Sequence, residues 1–312
     1  MNEAWVAARF VHFAATLAAF GTAAFRLYAF AGSAPATAGP GSAALDRELV
    51  RLMTVAALLS LLSALAIVPF TAAEMAGSAA AAGDPGVWWT VLSRTAFGHV
   101  WCWHIGFAAL LLALCAPHRQ RWQSAAAMLA ALLLVASLGL TGHAAMDMGG
   151  GWNHAINQMA HLTAAGLWLG GLLPLGVLLH RATRGGDADC VPLARVALPH
   201  FSQMGYAAVA LLAITGTVNS AMLVGSFGAL FGTPYGRLLA VKIGLFLAMV
   251  ALALVNRFRL VPRMRELAAT PAALRVLYRS VLVEQALGLA ILAVVAVLGT
   301  WPPAIEAAMA MQ

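Results

Sequence analysis

Residues 138–168 read LGLTGHAAMDMGGGWNHAINQMAHLTAAGLW, a break between two apolar runs that holds three histidines and three methionines. No other part of the chain sets so many soft and borderline metal ligands so close together. His154, Asn157 and His161 are spaced i, i+3, i+7, so a helix re-entered near Asn153 would turn all three the same way. His143, Met146 and Met148 lie where the preceding apolar run ends, and Gly149, Gly150 and Gly151 give the backbone freedom to fold one cluster toward the other. The runs on either side decide the fold. Each is about 20 residues long, enough to cross a hydrocarbon core of about 30 Å.

Working outward, eight such runs are found, near 5–30, 49–71, 98–116, 122–141, 155–179, 201–224, 236–255 and 274–300. The chain is 62% hydrophobic and 9% charged, with a mean hydropathy of +0.86. A water-soluble domain of 312 residues would lack the polar surface to cover itself. Alanine, leucine and glycine dominate the runs without period-two alternation. The expected fold is therefore all-α, a polytopic membrane protein of eight transmembrane helices rather than a barrel, with 1–312 as a single transmembrane domain.

A net charge of +7 suggests nucleic acid until the charges are placed. They cluster in alternate loops, with Arg26, Arg47 and Arg51 at the first, Arg119 and Arg121 at the third, Arg181, Arg184 and Arg195 at the fifth, and Arg257, Arg259, Arg263, Arg265, Arg275 and Arg279 at the seventh. The positive-inside rule then puts the odd loops in the cytoplasm and both termini, with the His/Met loop, in the periplasm. No nucleic-acid partner is expected, and the arginines read as topology signals and contacts to anionic membrane lipids. Met1-Asn2-Glu3 lacks the basic start of a signal peptide, so the first run reads as a retained helix. Cys102, Cys115 and Cys190 form no CxxC pair.

The halves resemble one another. His12 stands nine residues before Gly21, as His161 stands nine before Gly170. FGHVWCWHIG in helix 3 aligns with YGRLLAVKIG in helix 7, matching His104 to Lys242, and the fourth and eighth runs each lead to a Met-x-Met, Met146/Met148 and Met309/Met311. These matches point to a parallel four-plus-four helix repeat, approximately 1–148 and 149–312, about an axis along the membrane normal. That relation makes His12 and His161 equivalent, and their facing one another across the bundle to share one metal is an expectation of it.

Methionine sulfur suits Cu(I) and imidazole suits copper in both oxidation states, so a His/Met cluster with one carboxylate, Asp147, points to copper. The candidate ligands are His143, His161, His12, His154, Met146 and Met148, with His99, Cys102, His104, Met309 and Met311 as secondary candidates. Lys242, Glu284 and Asn219 are polar groups inside apolar runs, where a charge costs at least about 2.5 kcal/mol. A Lys242–Glu284 ion pair is one resolution, and an interhelical hydrogen bond is expected for Asn219. Arg9 can snorkel outward.

The blocks TGTVNS (215–220), GTPYGRLL (232–239) and NRFR (256–259), together with RFVHFAATLAAFG, TGHAA and HLTAAGLWLGGLLPL, resemble the CopD (PcoD) family of bacterial inner-membrane copper-resistance proteins over nearly the whole chain. The resemblance implies an inner-membrane protein that works with a periplasmic CopC-type copper carrier and brings copper inward, with His12, His143 and His161 as family-like positions. WCWHIG (101–106) is richer in ligands than the resemblance requires. Two other readings stand beside a copper permease. One is a haem-binding membrane redox protein with axial histidines drawn from His12, His104 and His161. The other is a non-transporting copper-docking protein at the periplasmic face. No catalytic residue is expected on the transporter reading, and the lack of a Walker A sequence argues against an ATP-driven pump.

Overall fold

The computed structural model describes residues 3–31, 39–115, 121–141, 152–184, 190–260 and 271–305, and no strand occurs among them. The helices are α1 (Glu3–Tyr28), α2 (Pro40–Met75), α3 (Pro85–Arg94), α4 (Ala96–Leu114), α5 (Arg121–Ser137), α6 (Trp152–Ala165), α7 (Gly171–Thr183), α8 (Cys190–Val224), α9 (Phe227–Gly232), α10 (Pro234–Val255) and α11 (Pro271–Leu298). A π turn, Gly166–Gly170, joins α6 to α7 as one span, and another, Asn256–Leu260, extends α10. Eight of the resulting helices are long and apolar enough to cross a membrane. They form the all-helical polytopic bundle expected from the eight runs. The face at which α1 begins is called here the terminal face.

Two helices outrun their apolar runs. α2 starts at Pro40 and α8 at Cys190, each about two turns or more before the hydrophobic stretch, because the arginine side continues as helix in a polar setting. There Arg26 pairs with Asp46 at 2.8 Å and Arg181 with Glu48 at 2.7 Å. Hydropathy marks the part of a helix that lies in lipid, while hydrogen bonding carries the helix past it.

α1 and the α6–α7 span form the centre of the bundle. Phe20 and Phe25 of α1 are enclosed, and Gly21 meets Gly170 so closely that a Cβ on either would overlap the backbone of the opposing segment. Small residues at such a crossing let two helices pack at backbone distance, which is the principal source of helix association in lipid. Around this axis α2 and α5 pack against α1 with α4 packed on both of them, while α8 and α11 pack against the other span and α10 packs on α11.

Two short helices lie at the terminal face before long ones, and both corners are built alike. Thr95 Oγ1 accepts from Gly98 N at 2.9 Å and donates to Val91 O at 2.7 Å. Thr233 Oγ1 accepts from Gly236 N at 3.0 Å and donates to Ala229 O at 2.8 Å. Gly98 and Gly236 touch the backbone of the preceding short helix, α3 and α9 respectively. The charge-free segment before α10 thus forms a small helix whose Phe227 and Phe231 are exposed, as an interfacial turn should be.

Candidate metal centre

Nine residues at about 100° each amount to two and a half turns, so His12 lies on the side of α1 opposite Gly21. It therefore turns away from the central crossing and into its own half. There its ring meets that of His104 of α4, with centroids 4.9 Å apart and planes inclined at 59°. Both imidazoles are almost fully enclosed, at 1% and 0% exposure. Trp101 stacks on His104 at 4.8 Å and 13° and reaches within 5.4 Å of the His12 ring. Its indole N–H donates to Ala64 O of α2 at 3.0 Å, which fixes the wall.

The hydrogen bonds determine which nitrogen is free. His12 Nδ1 lies 2.9 Å from Ser63 Oγ, and that hydroxyl donates its own proton to Leu59 O at 2.6 Å. A hydroxyl has one proton, so Ser63 accepts from His12 Nδ1–H. The same logic holds for His104, whose Nδ1 is 2.8 Å from Ser137 Oγ while Ser137 donates to Leu134 O at 2.8 Å. Each ring is thereby held as the neutral tautomer with a bare lone pair on Nε2. Both Nε2 atoms are buried without a hydrogen-bond partner, a costly arrangement unless something binds there.

This is the usual preparation of an imidazole for a metal, since the bond at one nitrogen sets tautomer and orientation of the other. Were both Nε2 atoms to bind one ion, with metal–nitrogen bonds near 2.0 Å and ring centres about 1.2 Å beyond the nitrogens, the 4.9 Å separation would correspond to an N–metal–N angle of about 100°. Such a bent pair fits a three- or four-coordinate ion that takes its other ligands elsewhere. The pair does not fit axial haem ligation, because two imidazoles on opposite faces of an iron keep their ring centres about 6.4 Å apart.

His161 uses the same device in the other half. Its Nδ1 is 2.8 Å from Thr215 Oγ1 of α8, and Thr215 donates to Leu211 O at 2.6 Å. Its surroundings differ, because it borders a cavity of about 660 Å³ that also receives Lys242 of α10. The sharing expected of His12 and His161 has no counterpart among the ring contacts of the described residues. Each nine-residue spacing aims its histidine away from the crossing, and the ring partner of His12 is His104.

The remaining candidates fall as follows. His154 is buried with Nδ1 unpartnered, and Asn157, on the same face, donates to Thr215 O at 3.1 Å and to Asn219 Oδ1 at 2.9 Å. Asn219 in turn donates to Gln158 Oε1 at 2.9 Å, so it makes the interhelical hydrogen bond expected of it. His99 and Cys102 lie on an exposed face of α4, His99 Nε2 being 3.0 Å from Ser93 O. His143, Met146, Met148, Met309 and Met311 lie outside the described residues. Among the described residues no group of three His, Cys, Asp or Glu side chains converges as a metal site.

The Lys242–Glu284 pair is corrected. Glu284 accepts from Asn256 Nδ2, and Asn256 Oδ1 accepts from Ser280 at 2.6 Å. Asn256 is fourteen residues beyond Lys242, about 21 Å along the helix, so the carboxylate it holds lies far deeper than the lysine. Arg9 is also better held than snorkelling requires. Its Nε donates to Ala296 O at 3.3 Å, and the guanidinium lies over Trp5 and Phe13 at 5.5 and 5.4 Å, clasping α1 to the end of α11.

A polytopic helical membrane protein with paired, buried, neutral histidines is the class that fold and site define. The comparisons with known proteins give the family. Residues 1–155 match the model of the copper resistance protein D-like N-terminal domain, and residues 195–298 match the copper resistance protein D model. The chain is 32% identical to the inner membrane protein YebZ of Escherichia coli (strain K12), over 96% of this chain and 98% of that one. It is 30% identical to copper resistance protein D of Pseudomonas syringae pv. tomato, over 97% and 98%, and 29% identical to the copper transport protein CutJ of Bacillus subtilis (strain 168), over 74% of this chain and 42% of that one. No solved structure matches. The chain belongs to the copper resistance protein D family.

Proposed function

We propose that this chain is a copper permease that binds copper between His12 and His104 and passes it inward across the bacterial inner membrane. The observation that carries the reading is the pair of buried Nε2 lone pairs, unpartnered and pre-oriented by Ser63 and Ser137. Neutral imidazoles at a bent angle suit copper, and they leave positions for softer ligands. His143, Met146 and Met148 supply these on our reading. They follow two to seven residues after Thr141, the end of the segment that carries Ser137. His154 is the further ligand candidate from α6, while His161 belongs to a different environment, described below.

Copper is handed over at the terminal face by a CopC-type carrier, with both termini periplasmic as the arginine partition implies. The two halves are read as copies of one four-helix unit. The Gly21–Gly170 contact, the paired Thr95 and Thr233 corners, and the hydroxyl tethers of His12 and His161 support that.

The test is copper content and visible absorption of the purified protein. Wild type loaded with Cu(I) should retain copper and show no Soret band, and His12→Ala together with His104→Ala should lower bound copper more than about tenfold, since a first-shell pair is lost. Unchanged copper in the folded double variant would reject the centre, and a Soret band with stoichiometric iron would restore the haem reading.

A further inference from the structure

α2 packs along α4 in the first half, but α8 and α10 have little direct contact with each other. The space between them is the cavity of about 660 Å³ that His161 borders, well inside the size range of small-molecule sites. Its rim includes Ala213 and Thr217 of α8 and Ile243 and Leu247 of α10, all exposed. The cavity therefore opens sideways, between two helices, toward lipid.

The distribution of its polar groups is directional. α10 begins at the terminal face, which puts Lys242 about 12 Å deep, and helical side chains lean toward the helix N-terminus, so the ammonium rises toward that face. Gln158, His161, Thr217 and Ser220 stand within about 14 Å of the same face. Deeper, the walls are Leu212, Phe246, Leu247, Met249 and Leu169. Val224, Phe227, Leu230 and Leu239 also line the upper part, but the polar groups are confined to it, and such a cavity above an apolar shaft, open to the bilayer, suits a lipid of that leaflet standing in its normal orientation.

Charge selects among lipids. Lys242 is the only lysine of the chain, and among the described residues it has neither an ion pair nor a hydrogen bond. An unpaired ammonium in an apolar span is costly, and a cation beside His161 opposes binding of a second metal cation there. The neutral His161 offers its Nε2 lone pair to a donor, as a headgroup hydroxyl would be.

We propose that this cavity binds one anionic, hydroxyl-bearing phospholipid from the leaflet at the terminal face, with Lys242 against the phosphate, His161 accepting from the headgroup hydroxyl, and one acyl chain between α8 and α10. The proposal does not depend on the copper centre, whose residues lie outside the cavity.

The experiment is native mass spectrometry of the full chain, delipidated in neutral detergent and titrated separately with phosphatidylglycerol, phosphatidylcholine and oleate. Wild type should retain one phosphatidylglycerol and prefer it to phosphatidylcholine. Lys242→Met should reduce that preference about fivefold or more, and Lys242→Arg should keep it. Ser220→Phe, which fills the upper cavity and removes only a hydroxyl bonded within its own helix, should lose the lipid while copper content stays unchanged, and it serves if Lys242→Met does not fold. Equal retention of the two phospholipids by wild type, or an unaltered preference in folded Lys242→Met, would overturn the proposal. Oleate held more tightly than phosphatidylglycerol would overturn the phospholipid in favour of a free carboxylate.

Discussion

The two halves of the bundle solve the same local problem and end with opposite results. In each, a histidine on the helix nearest the axis donates through Nδ1 to a hydroxyl that is itself committed to its own helix, Ser63 for His12 and Thr215 for His161. In the first half α2 and α4 close over the ring and the next polar residue is another neutral imidazole, His104. In the second the helices part, and the position aligned with His104 carries the Lys242 ammonium. A dry pair of lone pairs attracts a cation, whereas an open cleft with a fixed positive charge attracts an anion. On the proposed reading, one scaffold separates the two charge types by packing and by a single aligned residue.

The largest expected effect tests the axis that both halves share. Gly21→Val or Gly170→Val places side-chain atoms inside the opposing backbone, an overlap with no flexible neighbour to absorb it. We expect destabilisation of more than about 3 kcal/mol, read as loss of a monodisperse peak when the protein is extracted in mild detergent. Gly216→Ala is the contrasting substitution, since its Cβ would lie 3.6 Å from His161 Cε1, an ordinary contact in the open half. Equal behaviour of Gly216→Ala and Gly21→Val would remove the distinction between a packed centre and an open cleft.

A smaller effect separates the histidine environments. Ser63→Ala or Ser137→Ala frees the Nδ1 proton and the ring orientation, and loss of such a supporting bond typically weakens metal binding 10- to 100-fold. Thr215→Ala should leave copper affinity unchanged, because the proposed copper centre does not include His161. Competition with a Cu(I) chelator measures all three. A matching loss in Thr215→Ala would put His161 back among the ligands, as the sequence first suggested.

What was legible from the sequence follows from length and periodicity. Eight apolar runs of spanning length could not pack otherwise in lipid, so the helices and their number were readable. The candidate site was less so. His104 is only a secondary candidate in the sequence, because nothing in one dimension says that α4 brings it against the His12 face of α1. Part of the answer was available all the same. The nine-residue spacing of His12 from Gly21 and of His161 from Gly170 already set each histidine opposite its glycine, and glycines are where helices in lipid approach most closely. Ser63 and Ser137, which determine the tautomers, gave no signal, because a serine in an apolar helix reads as neutral until its partner is known. Lys242 and Glu284 paired on paper because each lacked a visible partner, and only the depth of Asn256 separates them.

The smallest effect tests whether the halves are equivalent where chemistry does not interfere. Thr95 and Thr233 each cap a long helix and tie it to the short helix before it, with matching distances to Gly98 N and Gly236 N. Replacing either by alanine removes the acceptor for that N–H and the donor to Val91 O or Ala229 O, and an N-cap threonine is worth about 1 kcal/mol. Thr95→Ala and Thr233→Ala should therefore lower the thermal unfolding midpoint in detergent by similar small amounts, and Thr→Ser at either position, which keeps both bonds, should restore most of it. α9 also borders the proposed lipid cavity through Phe227 and Leu230, whereas no α3 residue lines that cavity. If the halves differ only in packing, added phosphatidylglycerol should offset Thr233→Ala and leave Thr95→Ala unchanged. A large loss at one corner with none at the other, in the absence of lipid, would show that the corners bear different loads and that the proposed duplication is not carried through to the packing.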